Sequence, residues 1–116
     1  MIKIGIDIIT ISRIENLIEK FGIEKLKFLN KDENYTSPAT IAGVYASKEA
    51  FSKALGTGIG KEFSFKDISI LKSSKNKPYI KIHSPILKNK IIECDVSITH
   101  DGGFAISAVI LKIKKI

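Results

Sequence analysis

Asp7 and Glu49 are the residues whose types and surroundings point most directly to chemistry. Asp7 stands in Ile4-Gly5-Ile6-Asp7-Ile8, with apolar neighbours on both sides. A carboxylate in such a setting is costly to bury alone, so it calls for a cation, either a metal ion or a basic side chain such as Arg13. Glu49 stands in a helix-like run, residues 45–58, that ends in a glycine loop. Within it Glu49, Ser52, Lys53 and Gly56 recur at three- and four-residue spacing and share one face. Two carboxylates are too few to enclose magnesium, but magnesium keeps several waters and takes further ligands from substrate phosphates. Lys48, Lys53 and the backbone around Gly56 and Gly58 suit an anion. A divalent cation held against a phosphate is the simplest chemistry that uses all of these groups. A plainer reading competes for Glu49 and Lys53, namely a surface ion pair worth about 0.2–0.5 kcal/mol.

These residues need elements to hold them. Ile2, Ile4, Ile6 and Ile8 alternate with Lys3, Gly5 and Asp7, which is the period of a strand. If the isoleucines face the core, Asp7 points the other way and Gly5 leaves room for a close approach on its side. A first helix is expected over residues 12–21, with Ile14, Leu17, Ile18 and Phe21 at helical spacing and Gly22 as the stop. Residues 30–34 read as loop. Ser37-Pro38 marks a helix start, because serine caps a free N–H and proline at the first position gives up no needed donor. That helix runs to Leu55 and ends at Gly56, with Ala42, Ala46, Ala50 and Ala54 as a stripe for close packing. Strand patterns follow over residues 63–71, 78–84, 95–99 and 104–113. The last two flank His100-Asp101-Gly102-Gly103, a strong hairpin signal. The order of strand, helices, then strands predicts an α+β fold with an antiparallel sheet packed on helices, as one domain over residues 1–116.

The 116 residues carry a formal charge of +7, which favours an anionic partner without choosing one. The aromatics do not interleave with the basic residues, so a nucleic-acid platform is poorly supported. Gly56 to Lys61 is not a phosphate-binding P-loop: position 55 is leucine, residue 62 is glutamate, and the loop leaves a helix instead of entering one. Cys94 is the only cysteine, which rules out an intrachain disulfide and fits a reducing compartment. It reads as a small buried hydrophobe in a strand. The N-terminus runs straight into a strand without a cleavage pattern, and no apolar run reaches membrane-spanning length, so a cytoplasmic location is expected. His83 and His100 lack a metal-ligand spacing. His100 opens the hairpin, as a plain turn residue or as a phosphate donor.

The chain resembles the holo-acyl-carrier-protein synthase family, the small 4′-phosphopantetheinyl transferases. The resemblance spans nearly the full length. It rests on Gly5-Ile6-Asp7-Ile8-Ile9 with Arg13-Ile14, on the run from Lys48-Glu49-Ala50 through Lys53-Ala54-Leu55 to Gly56-Thr57-Gly58, on the Lys77-Pro78 turn, and on Val96-Ser97-Ile98-Thr99-His100. It implies transfer of the phosphopantetheine arm of coenzyme A to a serine of an apo acyl carrier protein, with release of adenosine 3′,5′-bisphosphate, in support of fatty acid biosynthesis. By the same resemblance Asp7 and Glu49 hold Mg2+, with Mn2+ as a substitute. Lys53 neutralises the transferred phosphate with Lys48 close by, and Ser52, Gly56 and the loop approach the nucleotide. His100 helps bind the phosphoadenosine end across a subunit boundary. The family assembles as a homotrimer with sites between subunits. The attacking serine belongs to the carrier, so this chain needs no nucleophile, and Glu49 or water relayed through it takes the proton.

Two departures accompany the resemblance. Thr99 stands where the family has serine, with the hydroxyl kept. The first helix, usually strongly basic for docking the acidic carrier, has Glu15 and Glu19 beside Arg13 and Lys20. Arg13, Lys20 and Lys25 are the candidate docking residues, with Lys27 and Lys31 alongside. The rival class is a non-catalytic basic module that binds nucleic acid or coenzyme A, and a structural oligomer subunit is a third reading. The paired carboxylates favour catalysis.

Overall fold

The computed structural model describes residues 1–115. Strand β1 (Ile2–Thr10) leads into helix α1 (Ile11–Phe21), and a 3-10 turn (Ile23–Lys25) follows. Helix α2 (Pro38–Leu55) is the long one. A second 3-10 turn (Phe65–Asp67) opens strands β2 (Ile68–Lys72) and β3 (Pro78–Ile82), then come a short helix α3 (Pro85–Lys90) and strands β4 (Ile91–Asp101) and β5 (Phe104–Ile113). The strands form a three-stranded sheet, β1-β5-β4, and a two-stranded one, β2-β3, both antiparallel. Helix α2 lies against β1 and β5, which gives the α+β architecture expected.

Helix α2 begins and ends where its signals stand. The Ser37 hydroxyl accepts from the Thr40 N–H at 3.4 Å, and Pro38 takes the first turn. Gly56 closes it in the left-handed conformation at φ 84°, with its N–H bonded to the Ser52 and Lys53 carbonyls. Ile41, Val44, Ala46, Ala50, Phe51 and Ala54 are all buried, so the helix is the spine of the core.

The facing of β1 is the reverse of the expectation. Ile2, Ile4, Ile6 and Ile8 are exposed, Ile4 by 73%, while Gly5 and Ile9 are buried. The cause is Gly5. A Cβ built there would lie 1.9 Å from the Ala50 carbonyl oxygen and 2.7 Å from the Ala54 nitrogen. Helix α2 therefore sits directly on the Gly5–Asp7–Ile9 side, and the small residues Ala50 and Ala54 let the two backbones meet. Replacing Gly5 with alanine is expected to destabilise the fold by at least about 2 kcal/mol, because backbone atoms would have to separate. Chemical denaturation of the variant measures this, and an unchanged midpoint would refute the close-approach account.

Two further elements differ from the sequence reading. The strand expected over 63–71 starts only at Ile68, because Ser64 and Asp67 form a reciprocal capping box over a 3-10 turn. Phe63 is buried and stacks on Phe51 at 5.1 Å. Helix α3 has no place in the sequence reading, although Ser84-Pro85 repeats the Ser37-Pro38 signal and the Ser84 hydroxyl accepts from the Leu87 N–H at 3.3 Å. The β4–β5 hairpin forms as expected, with Asp101 paired to Phe104 and the turn itself made by Gly102 and Gly103, at φ 58° and 83°. Cys94 is half-buried in β4, and burial pushes its thiol up. Among the described residues no helix is long and apolar enough to cross a membrane.

Candidate active site

The inward side of β1 delivers Asp7 to the last turns of α2. The Lys53 ammonium donates to Asp7 Oδ1 at 2.9 Å and to the Ile6 carbonyl at 3.1 Å. The Asp7 side chain is 17% exposed and that of Lys53 54%, so the pair lies at the rim of the core and opens outward. Neither plainer pairing forms: Lys53 engages Asp7 and not Glu49, and Arg13 does not engage Asp7. The Arg13 guanidinium instead lies over the Tyr45 ring, 5.6 Å from its centre.

Glu49 is half-buried one turn before Lys53 and one turn after Tyr45. Burial and then the neighbouring Glu49 carboxylate push the Tyr45 phenol above its ordinary value; Arg13 opposes and Asp7 adds. Tyr45 thus lies in the fields of both acids. No group of three or more His, Cys, Asp or Glu side chains gathers among the described residues. The site is a two-carboxylate one, hard in its oxygen donors and bordered by a lysine. That donor set fits magnesium, which tolerates few protein ligands and keeps water and phosphate as the rest.

The glycine loop adjoins this end. The Ser52 carbonyl accepts from the N–H groups of Gly56, Thr57 and Gly58, at 3.1, 3.3 and 3.3 Å. Side chains added at Gly56, Gly58 or Gly60 would meet nothing within 4 Å, so the loop presents open backbone. The Ser52 hydroxyl is a different matter. It is fully buried and donates to the Glu49 carbonyl at 2.6 Å, so it holds the helix and does not face a ligand.

Lys48 is the clearest correction. Its side chain is entirely buried, and its ammonium donates to Glu33 Oε1 at 2.6 Å, to the Phe28 carbonyl at 2.6 Å and to the Phe65 carbonyl at 2.9 Å. All three donors are consumed, so none reaches an anion. The same Glu33 Oε1 also accepts from the Asn30 N–H at 2.7 Å, and Oε2 accepts from the Ile70 N–H at 2.8 Å. Burial holds the Lys48 ammonium below its ordinary value, with Glu33 pulling it back. This buried pair ties α2, the 26–36 loop and β2 together. Glu33 goes unnoticed in the sequence because it sits in a polar stretch that reads as solvated loop, and no spacing links it to Lys48.

His100 lies at the other end of α2. Its Nε2 donates to the Ala39 carbonyl at 2.8 Å. Ala39 and Glu49 are ten residues apart on one helix, about 15 Å along its axis. The chain therefore does not bring its own His100 to its own carboxylates. Beside His100 is a separate cavity of 180 Å³, with Tyr35, Ile70, Lys72, Asn76 and Pro78 among its walls. Arg13, Lys20 and Lys25 are exposed on α1 and the turn after it. Lys20 lies over the exposed Phe21 ring at 5.3 Å, and with Lys25 and Lys27 the two border a shallow depression.

The fold and this two-acid site define a class. Residues 3–109 match the model of the 4′-phosphopantetheinyl transferase superfamily, and the chain belongs to that family. Its relatives are named more narrowly. The holo-[acyl-carrier-protein] synthase of Nautilia profundicola is 55% identical over 111 residues, 93% of this chain and 97% of that protein. The enzyme of the same name from Campylobacter hominis is 50% identical and covers 97% of this chain and 98% of its own length. The crystal structure of Helicobacter pylori holo-[acyl-carrier-protein] synthase in complex with coenzyme A superimposes with a TM-score of 0.86 at 45% identity, over 94% of this chain and 99% of that one.

Proposed function

We propose that this chain transfers 4′-phosphopantetheine from coenzyme A to a serine of apo acyl carrier protein, releasing adenosine 3′,5′-bisphosphate, at a magnesium site formed by Asp7 and Glu49. The observation that carries the reading is the Asp7–Lys53 pair, one helical turn from Glu49 on α2 and beside an open glycine loop. When bound, Mg2+ (or Mn2+) supplies charge neutralisation on the diphosphate. The chain's own groups do the rest. Asp7 and Glu49 provide the two oxygen ligands. Lys53, exposed at its tip, turns its ammonium toward the phosphate that changes partners. Glu49, or water relayed through it, accepts the proton of the carrier serine. The backbone of the Gly56–Gly60 loop approaches the nucleotide without a side chain in the way.

His100 and the cavity next to it suit the phosphoadenosine end, with Lys72 as a cation and Tyr35 and Pro78 as flat apolar walls. His100 bonds to α2 ten residues before Glu49, and in this reading the complete site takes His100 and the acids from neighbouring copies. The exposed isoleucines of β1, joined by Phe104 and Ile110 of the adjacent β5, form an apolar face suited to cover by such a copy. A homotrimer is the assembly this reading adopts. Arg13, Lys20 and Lys25 take the acidic carrier, and the cytoplasm is where carrier and coenzyme A meet.

The test incubates the protein with coenzyme A, apo acyl carrier protein and Mg2+, and weighs the carrier by mass spectrometry. A gain of one phosphopantetheine arm is expected, lost on chelation. A carrier that stays unmodified with every divalent metal tried would overturn the proposal and leave a coenzyme A-binding module as the better account.

A further inference from the structure

Two serines meet in the core between helix and sheet. The Ser47 and Ser107 hydroxyl oxygens lie 2.8 Å apart, and both side chains are fully buried. The Ser47 hydroxyl also donates to the Gly43 carbonyl at 2.7 Å. A hydroxyl has one proton, and a carbonyl can only accept, so Ser107 is the donor within the pair. Two other side chains bond α2 to the three-stranded sheet, Lys53 to Asp7 and Ile6 and His100 to Ala39, and both lie at exposed ends. Among the described residues the serine pair is the one fully buried hydrogen bond between them.

Its place bears on both acids. Ser107 stands directly opposite Asp7 in the β1–β5 pairing. Ser47 stands two residues before Glu49 on α2. Elsewhere the seat of α2 on β1 is small and apolar, with Gly5 against Ala50 and Ala54. Apolar contact is non-directional: it keeps the two close but resists a roll of the helix weakly. A hydrogen bond has a preferred direction and sets that roll. At a helix radius of about 5–6 Å, a roll of about 10° carries a side chain by about 1 Å. Magnesium demands near-ideal geometry of its ligands, so such a shift matters.

We propose that Ser47 and Ser107 are positioning residues: their buried hydrogen bond fixes the roll of α2 on the sheet and so sets where Glu49 stands relative to Asp7. The proposal rests on the metal reading of the two acids given above.

The test uses Ser47→Ala, Ser107→Ala and the double variant. Mn2+ binding is followed by electron paramagnetic resonance of the free ion, with saturating coenzyme A and a blank of coenzyme A alone. Each single variant should bind Mn2+ about fivefold more weakly, and the double variant no more weakly than either. The Mg2+ concentration for half-maximal transfer should rise by the same factor, and kcat at saturating Mg2+ should change by less. Thermal midpoints should follow a different order. Ser107→Ala leaves Ser47 its Gly43 partner, whereas Ser47→Ala strands the buried Ser107 hydroxyl and should melt lower. Metal binding unchanged in all three variants, or weakened in proportion to the fall in midpoint, overturns the positioning role. So does a double variant whose loss is the sum of the two singles. Glu49→Ala separates this failure from that of the metal reading. If Glu49→Ala loses Mn2+ and the serine variants keep it, only the inference about the serines falls; if Glu49→Ala binds as tightly as the parent, the metal assignment falls and the inference with it.

Discussion

Asp7→Ala and Glu49→Ala proteins should each transfer the phosphopantetheine arm at least about a thousandfold more slowly than the parent. A bound divalent ion contributes several kcal/mol to stabilising charge that develops on phosphate, and each 1.36 kcal/mol is tenfold in rate. Removal of either carboxylate takes away half of the protein's share of the ligands, and among the described residues no third acid gathers with them to replace it. The two variants should differ in a telling way. Asp7→Ala also frees the Lys53 ammonium from its 2.9 Å partner, so that lysine loses its fixed place. Glu49→Ala leaves the Asp7–Lys53 pair intact. Both should stay folded, because neither acid is deeply buried. Single-turnover rates at rising Mg2+ make the measurement, with circular dichroism as the control for folding. Either variant turning over within tenfold of the parent at ordinary Mg2+ would remove its residue from the metal site.

Lys48→Met has a large effect of a different kind. It should cost about 3–5 kcal/mol of stability, because it strands the Glu33 carboxylate in the core without its cation. A domain of this size has about 5–15 kcal/mol in total, so the variant would be close to unfolding at body temperature. Urea denaturation measures the loss. The folded fraction should still transfer the arm at close to the parent rate per molecule, since the Lys48 ammonium is consumed by Glu33, Phe28 and Phe65. Changing Glu33 to leucine in the same chain should recover part of the stability, as paired apolar replacements of buried ion pairs often do. A Lys48→Met protein of parental stability that has lost transfer would reverse the assignment and return Lys48 to the anion.

The two lysines show what sequence reading can and cannot resolve. Lys48 and Lys53 belong to one motif and one helix. Spacing separates their faces, but it does not reveal that the face of Lys48 looks onto Glu33 and that of Lys53 onto Asp7. Helix α2 was legible to the residue, because Ser37, Pro38 and Gly56 are local signals whose physics involves only near neighbours. That Asp7 meets a cation was inferable from carboxylate chemistry, since an acid among isoleucines demands one; its partner is Lys53. The facing of β1 was not legible. Alternating isoleucines normally mark the buried side, and here packing of backbone on backbone at Gly5 outweighed them. Helix α3 was too short for periodicity to register, although its Ser-Pro start was in plain sight.

β1 carries one more consequence. Strands usually find their pairing because one side shuns water, and a slip by one place is penalised by turning that side outward. In β1 the greasier side already looks out, so water gives little guidance, and a shifted alignment that tucks in Ile6 and Ile8 would even be rewarded. Such a shift would also turn the acid away from the lysine that meets it. What forbids it is a notch: only the residue without a side chain can lie under the Ala50 carbonyl, so the strand clicks into a single alignment with β5. A missing methyl group thus acts as the key that sets the direction in which Asp7 points.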